Sequence, residues 1–195
     1  GVVTAPYGAT GGTVVSNTVT NNRAVAIFGG QLYASNGSGT NTRIMAVGSG
    51  TPTAGSTVMT TLPGLPTTIS SFNQFHFVDL DAGVAGVDTL YAADDGSAAL
   101  RKYSLVGGTW TAPVTQIDAG GFYRGLTGTV NGTTVRLYAT RGTSSANSSN
   151  LLITVADTAG YNAAPSTTLV STLATAAANS SRAEARTASS MVRSL

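Results

Sequence analysis

The tripeptide Leu-Tyr-Ala occurs three times in this chain, at 32–34, 90–92 and 137–139, and each copy has the same surroundings. The copies are 58 and 47 residues apart. An apolar stretch with a Gly-containing turn precedes each one: AVAIFGG at 24–30, HFVDLDAGVAG at 76–86 and GLTGTVNG at 125–132. After each comes a polar loop and then a third apolar stretch: TRIMAVG at 42–48, ALRKYSL at 99–105 and NLLITVA at 150–156. A fourth alternating stretch closes each unit: STVMTTL at 56–62, APVTQI at 112–117 and TTLVSTLA at 167–174. A fixed order of short strands at a period near 50 residues is the signature of a repeat architecture.

Four short antiparallel strands per unit read as the blade of a β-propeller. A lone four-stranded sheet has two faces and cannot bury both, so such units stack face to face. Side chains alternate across a strand, which puts the Leu and Ala of each tripeptide on one face and the Tyr on the other. Strands covered on both faces can be apolar on both, which suits AVAIF and LLITV. A parallel β-helix is the competing repeat, but its turns are shorter than this period and leave no place for hairpins.

Turn chemistry supports the same reading. Asn131-Gly132 predicts a type I′ hairpin, which needs positive φ at both residues. Gly107-Gly108 predicts another between LRKYSLV and TWTAPVT. The units are expected near 24–62, 76–117 and 125–174, and residues 1–20 read as the last two strands of a preceding blade. That makes about three and a half blades of an all-β fold, where closed propellers use 4–8. An incomplete propeller is expected, either a piece of something longer or a chain that self-associates through an exposed blade face. The Ser/Asn-rich stretch 142–150 reads as a mobile loop. Residues 180–195 form a C-terminal tail; Ser181 to Glu184 has a capping-box pattern and a short helix could follow.

Composition narrows function. Only 9% of residues are charged, against 42% apolar, and Gly numbers 24. A chain with this much Val, Ile and Tyr is not of the disordered kind. Seven acidic and seven basic residues precede position 175, so the net charge of +2 comes from the tail, where Arg182, Arg186 and Arg193 outnumber Glu184. A nucleic-acid binder would carry a basic face on the fold, and none is expected. No Cys is present, which excludes disulfides and thiolate chemistry. No apolar run reaches the length of a membrane helix.

Taken together, NNRAVAIFGGQLYASNGSGTNTRIMAVGSGTPT from Asn21, LPGLPT at 62–67, VDLDAGVAGVDTLYAADDG at 78–96, LRKYSLVGGTWTA and RGLTGTV at 124–130 resemble bacterial secreted β-propeller repeat proteins of unassigned function. The resemblance covers nearly all of 1–179. It implies the fold and secretion, and no particular activity. Chains of that family tend to finish on an Arg-Gly-Val-Ala-Phe-like strand that closes the ring; this one reads SSRAEARTASSMVRSL after Asn179.

Few residues suggest chemistry. Five of the eight acidic residues lie between Asp79 and Asp95. Asp79, Asp81 and Asp88 surround a Gly-containing loop and are candidate Ca²⁺ ligands, because a hard cation needs several oxygens held by a tight turn. The segment also resembles the calcium loops of integrin-type propellers, although Gly83 takes the fifth loop position and Asp88 lies one place beyond the ninth. The alternative is an Asp-rich turn whose carboxylates cap backbone N–H groups. Asp94-Asp95-Gly96 reads as a turn with divergent carboxylates. His76, the sole histidine, faces away from Phe75 and Phe77 and lacks a nucleophile-elbow motif nearby. Arg23, Arg43, Arg101, Lys102 and Arg124 could line a channel or serve as strand flanks. Trp110 with Tyr33, Tyr91 and Tyr103 could form a sugar-stacking platform or core.

These features favour an extracellular, non-catalytic binding or scaffold module with a glycan or protein ligand. A propeller-type enzyme acting on polysaccharide and a calcium-stabilised adhesion segment are the alternatives, and fold alone separates none of them.

Overall fold

A computed structural model describes residues 1–68, 70–112, 116–143, 151–165 and 170–175, and the regular structure among them is entirely β. The loop at 144–150 and the tail at 180–195 lie outside the described residues. Strands β1 (Val2–Thr4) and β2 (Thr13–Ser16) pair into a two-stranded sheet. The first four-stranded sheet is β3 (Asn22–Phe28), β4 (Gln31–Asn36), β5 (Ile44–Val47) and β6 (Met59–Thr61), in sequence order. The second is β7 (Phe72–Val78), β8 (Thr89–Asp94), β9 (Ala99–Val106) and β10 (Thr109–Thr111), with the short β11 (Asp118–Ala119) also on β9. The third is β12 (Phe122–Asn131), β13 (Thr134–Gly142), β14 (Leu151–Asp157) and β15 (Val170–Thr175). All pairings are antiparallel, and the described residues do not close a ring.

The repeat is physical as well as sequential. Each Leu-Tyr-Ala lies on the second strand of its sheet, with its Ala opposite Val25, Phe75 or Leu126 of the first strand. Each first strand carries a register shift at its start, between Asn22 and Val25, Phe72 and Gln74, and Tyr123 and Gly125. A bulge adds twist and re-aims the chain. Its occurrence at equivalent places marks one backbone plan used three times.

Three apolar clusters separate the sheets. Val2, Val15 and Val19 meet Ala34, Met45, Val47 and Met59 of the first four-stranded sheet. That sheet's other face, through Ile44, Phe28 and Tyr33, meets Phe75, Phe77, Leu90, Ala92 and Trp110 of the second. Tyr91, Ala93 and Leu100 on the far face of the second meet Leu126, Leu137, Ala139, Ile153 and Val155 of the third. The expected division holds throughout: Leu and Ala turn to the preceding sheet, and Tyr33 and Tyr91 turn to the next. Because β1 and β2 cover only part of the first face, Val25 and Ile27 remain 53% and 57% exposed, beside exposed Val3.

Two local expectations need correction. The hairpin at Asn131-Gly132 forms, but Asn131 pairs with Thr134, so the turn residues are Gly132 and Thr133. Gly132 alone has positive φ, at 59°, the type II′ pattern. The strand pairing fixes the turn one residue later than the dipeptide suggested. The Gly107-Gly108 turn is as expected, with φ of 57° and 79°, and Gly29-Gly30 repeats it at 54° and 77°. In the second sheet the fourth strand is Thr109–Thr111, ahead of 112–117, because the tight glycine turn folds TWT directly back onto β9.

Candidate functional site

The site that best combines shape and chemistry is an aromatic cleft of about 350 Å³ at the rim between the first two four-stranded sheets. Phe28 and Gly29 come from the end of β3, and Tyr33 comes from β4. Leu62 and Pro63 come from the connection after β6, and Ala85 to Val87 from the loop between β7 and β8. Leu105, Gly108 and Trp110 come from the β9–β10 hairpin. No charged side chain lines it.

Backbone contacts fix the walls. The Trp110 N–H donates to the Pro63 carbonyl at 2.9 Å, tying the crossover segment to β10. Gly64 has φ of +89°, and a Cβ there would collide with the Trp110 carbonyl oxygen, so this close approach needs glycine. Phe77 stands behind the cleft, 4.5 Å from the Tyr33 ring and 5.3 Å from Trp110 between centroids. Such offset and edge contacts hold aromatic rings in fixed orientation. Trp110 is 5% exposed and Tyr33 is half-buried. Among the described residues, neither the Tyr33 hydroxyl nor the Trp110 indole N–H is hydrogen-bonded within the protein. Burial raises the Tyr33 pKa above the ordinary value of 10.0, keeping the hydroxyl a proton donor at neutral pH.

Of the proposed stacking platform, the structure brings Tyr33 and Trp110 to the cleft, keeps Tyr103 in the same core but off the cleft lining, and sends Tyr91 to another core. Tyr91 faces the third sheet and donates to Asp157 Oδ2 at 2.6 Å. Tyr103 packs on Phe72 at 6.1 Å, and burial pushes its hydroxyl up to about 12.

The acidic loop is held by its own backbone. Asp88 is fully buried and accepts from the Leu80 amide with both oxygens, from the Asp81 amide at 2.6 Å and from the Thr89 hydroxyl at 2.7 Å. Asp81 accepts from the Gly83 amide at 2.9 Å. Asp79 is exposed and has no such bond among the described residues. No group of three or more His, Cys, Asp or Glu among the described residues is placed to hold a metal ion.

Asp94 and Asp95 take separate partners, Arg101 at 2.7 Å and Arg124 at 2.8 Å. Asp94 also accepts from the Ser71 and Ser97 amides. His76 lies between Phe28, at 5.3 Å edge-on, and Gly128 of β12. Desolvation lowers its pKa to about 4, so the ring is neutral at pH 7. Arg43 is buried and donates to the Asn36 side chain and to the Asn41, Gly39 and Thr67 carbonyls. The expected basic lining is therefore mostly committed elsewhere; of the five, only Arg23 has no hydrogen-bond or ion-pair partner among the described residues, and it is exposed.

Sequence reasoning missed two constellations. Lys102 of β9 pairs with Asp157 of β14 at 2.7 Å, both fully buried, and donates to the Gly160 and Ala163 carbonyls. Tyr123, Asp118 and Arg141 form a second cluster, in which burial and then Asp118 raise the Tyr123 pKa. The only signal available was a Lys and an Asp inside apolar strands, positions that demand a partner. No family model, no curated protein and no solved structure matches this chain.

Proposed function

We propose that this chain is a non-catalytic binding module of propeller type, secreted, with its ligand seated in the aromatic cleft. The observation that carries the reading is where the ionisable groups are spent. Asp88, Asp94, Asp95, Asp118 and Asp157 all serve amides, hydroxyls or cations within the fold. His76 is kept neutral among rings. The cleft meanwhile offers aromatic walls and no acid–base pair, and general acid–base catalysis needs such a pair within reach of the reacting atoms. Alternation of Leu/Ala and Tyr faces through successive four-stranded sheets supports the blade arrangement. Secretion rests on the family resemblance.

The test is incubation of the purified chain with soluble polysaccharides, with assay of new reducing ends and of unsaturated product. Binding without product is expected. Turnover that disappears in a His76→Gln or Asp79→Asn variant would establish the enzymatic alternative instead. Export is checked by fractionating cells that express the natural gene product.

A further inference from the structure

We infer that the cleft accepts one neutral pyranose residue of a glycan, its apolar face against Phe28 and Tyr33 and its hydroxyls on Tyr33 and Trp110. This rests on the binding-module reading above and names its ligand. Three observations select the class. The lining holds no charged side chain. A phosphate, carboxylate or ammonium would be desolvated there without a counter-charge, which is strongly unfavourable. The ligand is therefore neutral.

The second observation is the pair of unspent donors. The Tyr33 hydroxyl and the Trp110 indole N–H have no hydrogen-bond partner among the described residues, and neither atom is shut off from solvent, so water meets them until a ligand arrives. A purely apolar guest would cover both donors and leave them unsatisfied, a loss that exceeds the gain from a single ordinary hydrogen bond. A guest with one apolar face and ring hydroxyls satisfies them while still burying carbon against the aromatic walls. Sugar rings have that division; aliphatic side chains do not.

The third is size and build. About 350 Å³ lies at the low end of small-molecule sites, which suits a single ring with its neighbours in the chain continuing into solvent. The walls come from two sheets and their hairpins, and tight turns at Gly29 and Gly108 keep side chains off the rim.

Trp110 is the only tryptophan, so its emission reports directly on the cleft. The full chain is titrated with the methyl pyranosides of glucose, galactose, mannose and xylose and with short cello-, manno-, xylo- and chito-oligosaccharides. A saturable change in emission is expected with at least one of them. Tyr33→Phe, which removes only the hydroxyl, should weaken that binding roughly five- to tenfold. Ala85→Phe, on the exposed loop, should abolish it by filling the opening while leaving the melting temperature unchanged. Charged sugars such as glucuronate should bind at least tenfold more weakly than their neutral counterparts.

No saturable change with any neutral sugar overturns the inference. So does binding that Ala85→Phe leaves intact, which would put the sugar elsewhere and keep the binding-module reading. Saturation by indole or by an apolar peptide in place of sugars assigns the cleft to another ligand class. Release of cleaved product in the same tubes overturns the non-catalytic reading itself, a separate result from loss of the fluorescence signal.

Discussion

The ammonium of Lys102 lies 2.7 Å from the carboxylate of Asp157, and neither side chain touches solvent. They belong to β9 and β14, so the pair joins the second four-stranded sheet to the third. The rest of the coordination explains how a buried charge pair is tolerated. Lys102 spends its remaining donors on the Gly160 and Ala163 carbonyls at 2.6 and 2.9 Å. Asp157 accepts from the Tyr91 hydroxyl and the Ala159 amide at 2.6 and 2.9 Å. Burial foremost, and then the neighbouring Asp157 charge, raise the Tyr91 pKa, so this phenol stays a donor.

Removing one partner of such a pair strands the other charge in the core, which costs about 3–5 kcal/mol. Asp157→Ala is expected to lose that amount in urea denaturation, and Lys102→Met a comparable amount. The double variant should lose less than the sum, with a coupling above roughly 1 kcal/mol. Strictly additive losses would show that the two groups do not depend on each other.

Asp88 organises the loop that forms one wall of the cleft. Its carboxylate holds the Leu80 and Asp81 amides and the Thr89 hydroxyl. Asp88→Ala leaves these buried donors unmet, and a loss of about 2–4 kcal/mol is expected. Asp81→Ala, which gives up a single bond to the Gly83 amide, should cost under about 1 kcal/mol. Calorimetric titration with Ca²⁺ decides the ligand reading of Asp79, Asp81 and Asp88. With Asp88 already committed to amides, no heat and no change in melting temperature are expected; saturable heat abolished by Asp81→Ala would assign these carboxylates to the metal.

His76 predicts a pH dependence. Its folded pKa, about 4, lies below the ordinary 6.5. Between those values the unfolded chain binds a proton that the folded chain refuses, so stability present above pH 6.5 is lost as pH falls towards 4. The full effect is about 3 kcal/mol. Comparison with His76→Gln isolates it from carboxylate titration: the variant should show a shallower decline across that window. Equal slopes would place the imidazole in water.

The same ring makes Gly128 sensitive. A Cβ there would lie 2.9 Å from His76 Cδ2 and 3.0 Å from Leu137 Cδ2. Overpacking between two sheets costs about 1–3 kcal/mol. Gly128→Ala should therefore destabilise by that amount in chemical denaturation. Gly86→Ala meets no atom within 4 Å and is affected only by its φ of +79°.

The uncovered strip of Val25, Ile27 and Val3 supports self-association through the open face. A contiguous exposed apolar patch of this kind favours contact with another surface. Sedimentation velocity should show a mass rising with concentration above the chain mass of 19.5 kDa, and Ile27→Lys should hold it there. A wild-type chain that stays monomeric throughout would remove self-association.

Much of the fold was legible because it depends on local rules applied three times. Apolar alternation marked the strands, and Leu-Tyr-Ala marked the second strand of each sheet. Leu90 and Tyr91 face opposite cores, as strand geometry requires. The Gly107-Gly108 hairpin follows from positive φ alone. The turn at Gly132 slipped by one residue because register belongs to the paired strands and not to the dipeptide. The site was legible only as a set of aromatics. Nothing in the spacing said that Tyr33 and Trp110 would meet at Phe77 while Tyr91 went to another core.

What the chain's order of residues settled by itself was periodicity: where strands run, which side chains share a face, and which turns need glycine. These are nearest-neighbour properties of the backbone, present before any sheet packs. Which sheet meets which was decided only in three dimensions, and with it the partner of Lys102, the neutral state of His76 and the cleft at the rim. Each depends on side chains tens of residues apart arriving at one place, where loss of water gives a lone charge, a hydroxyl or an indole N–H an energy that its position in the sequence cannot specify.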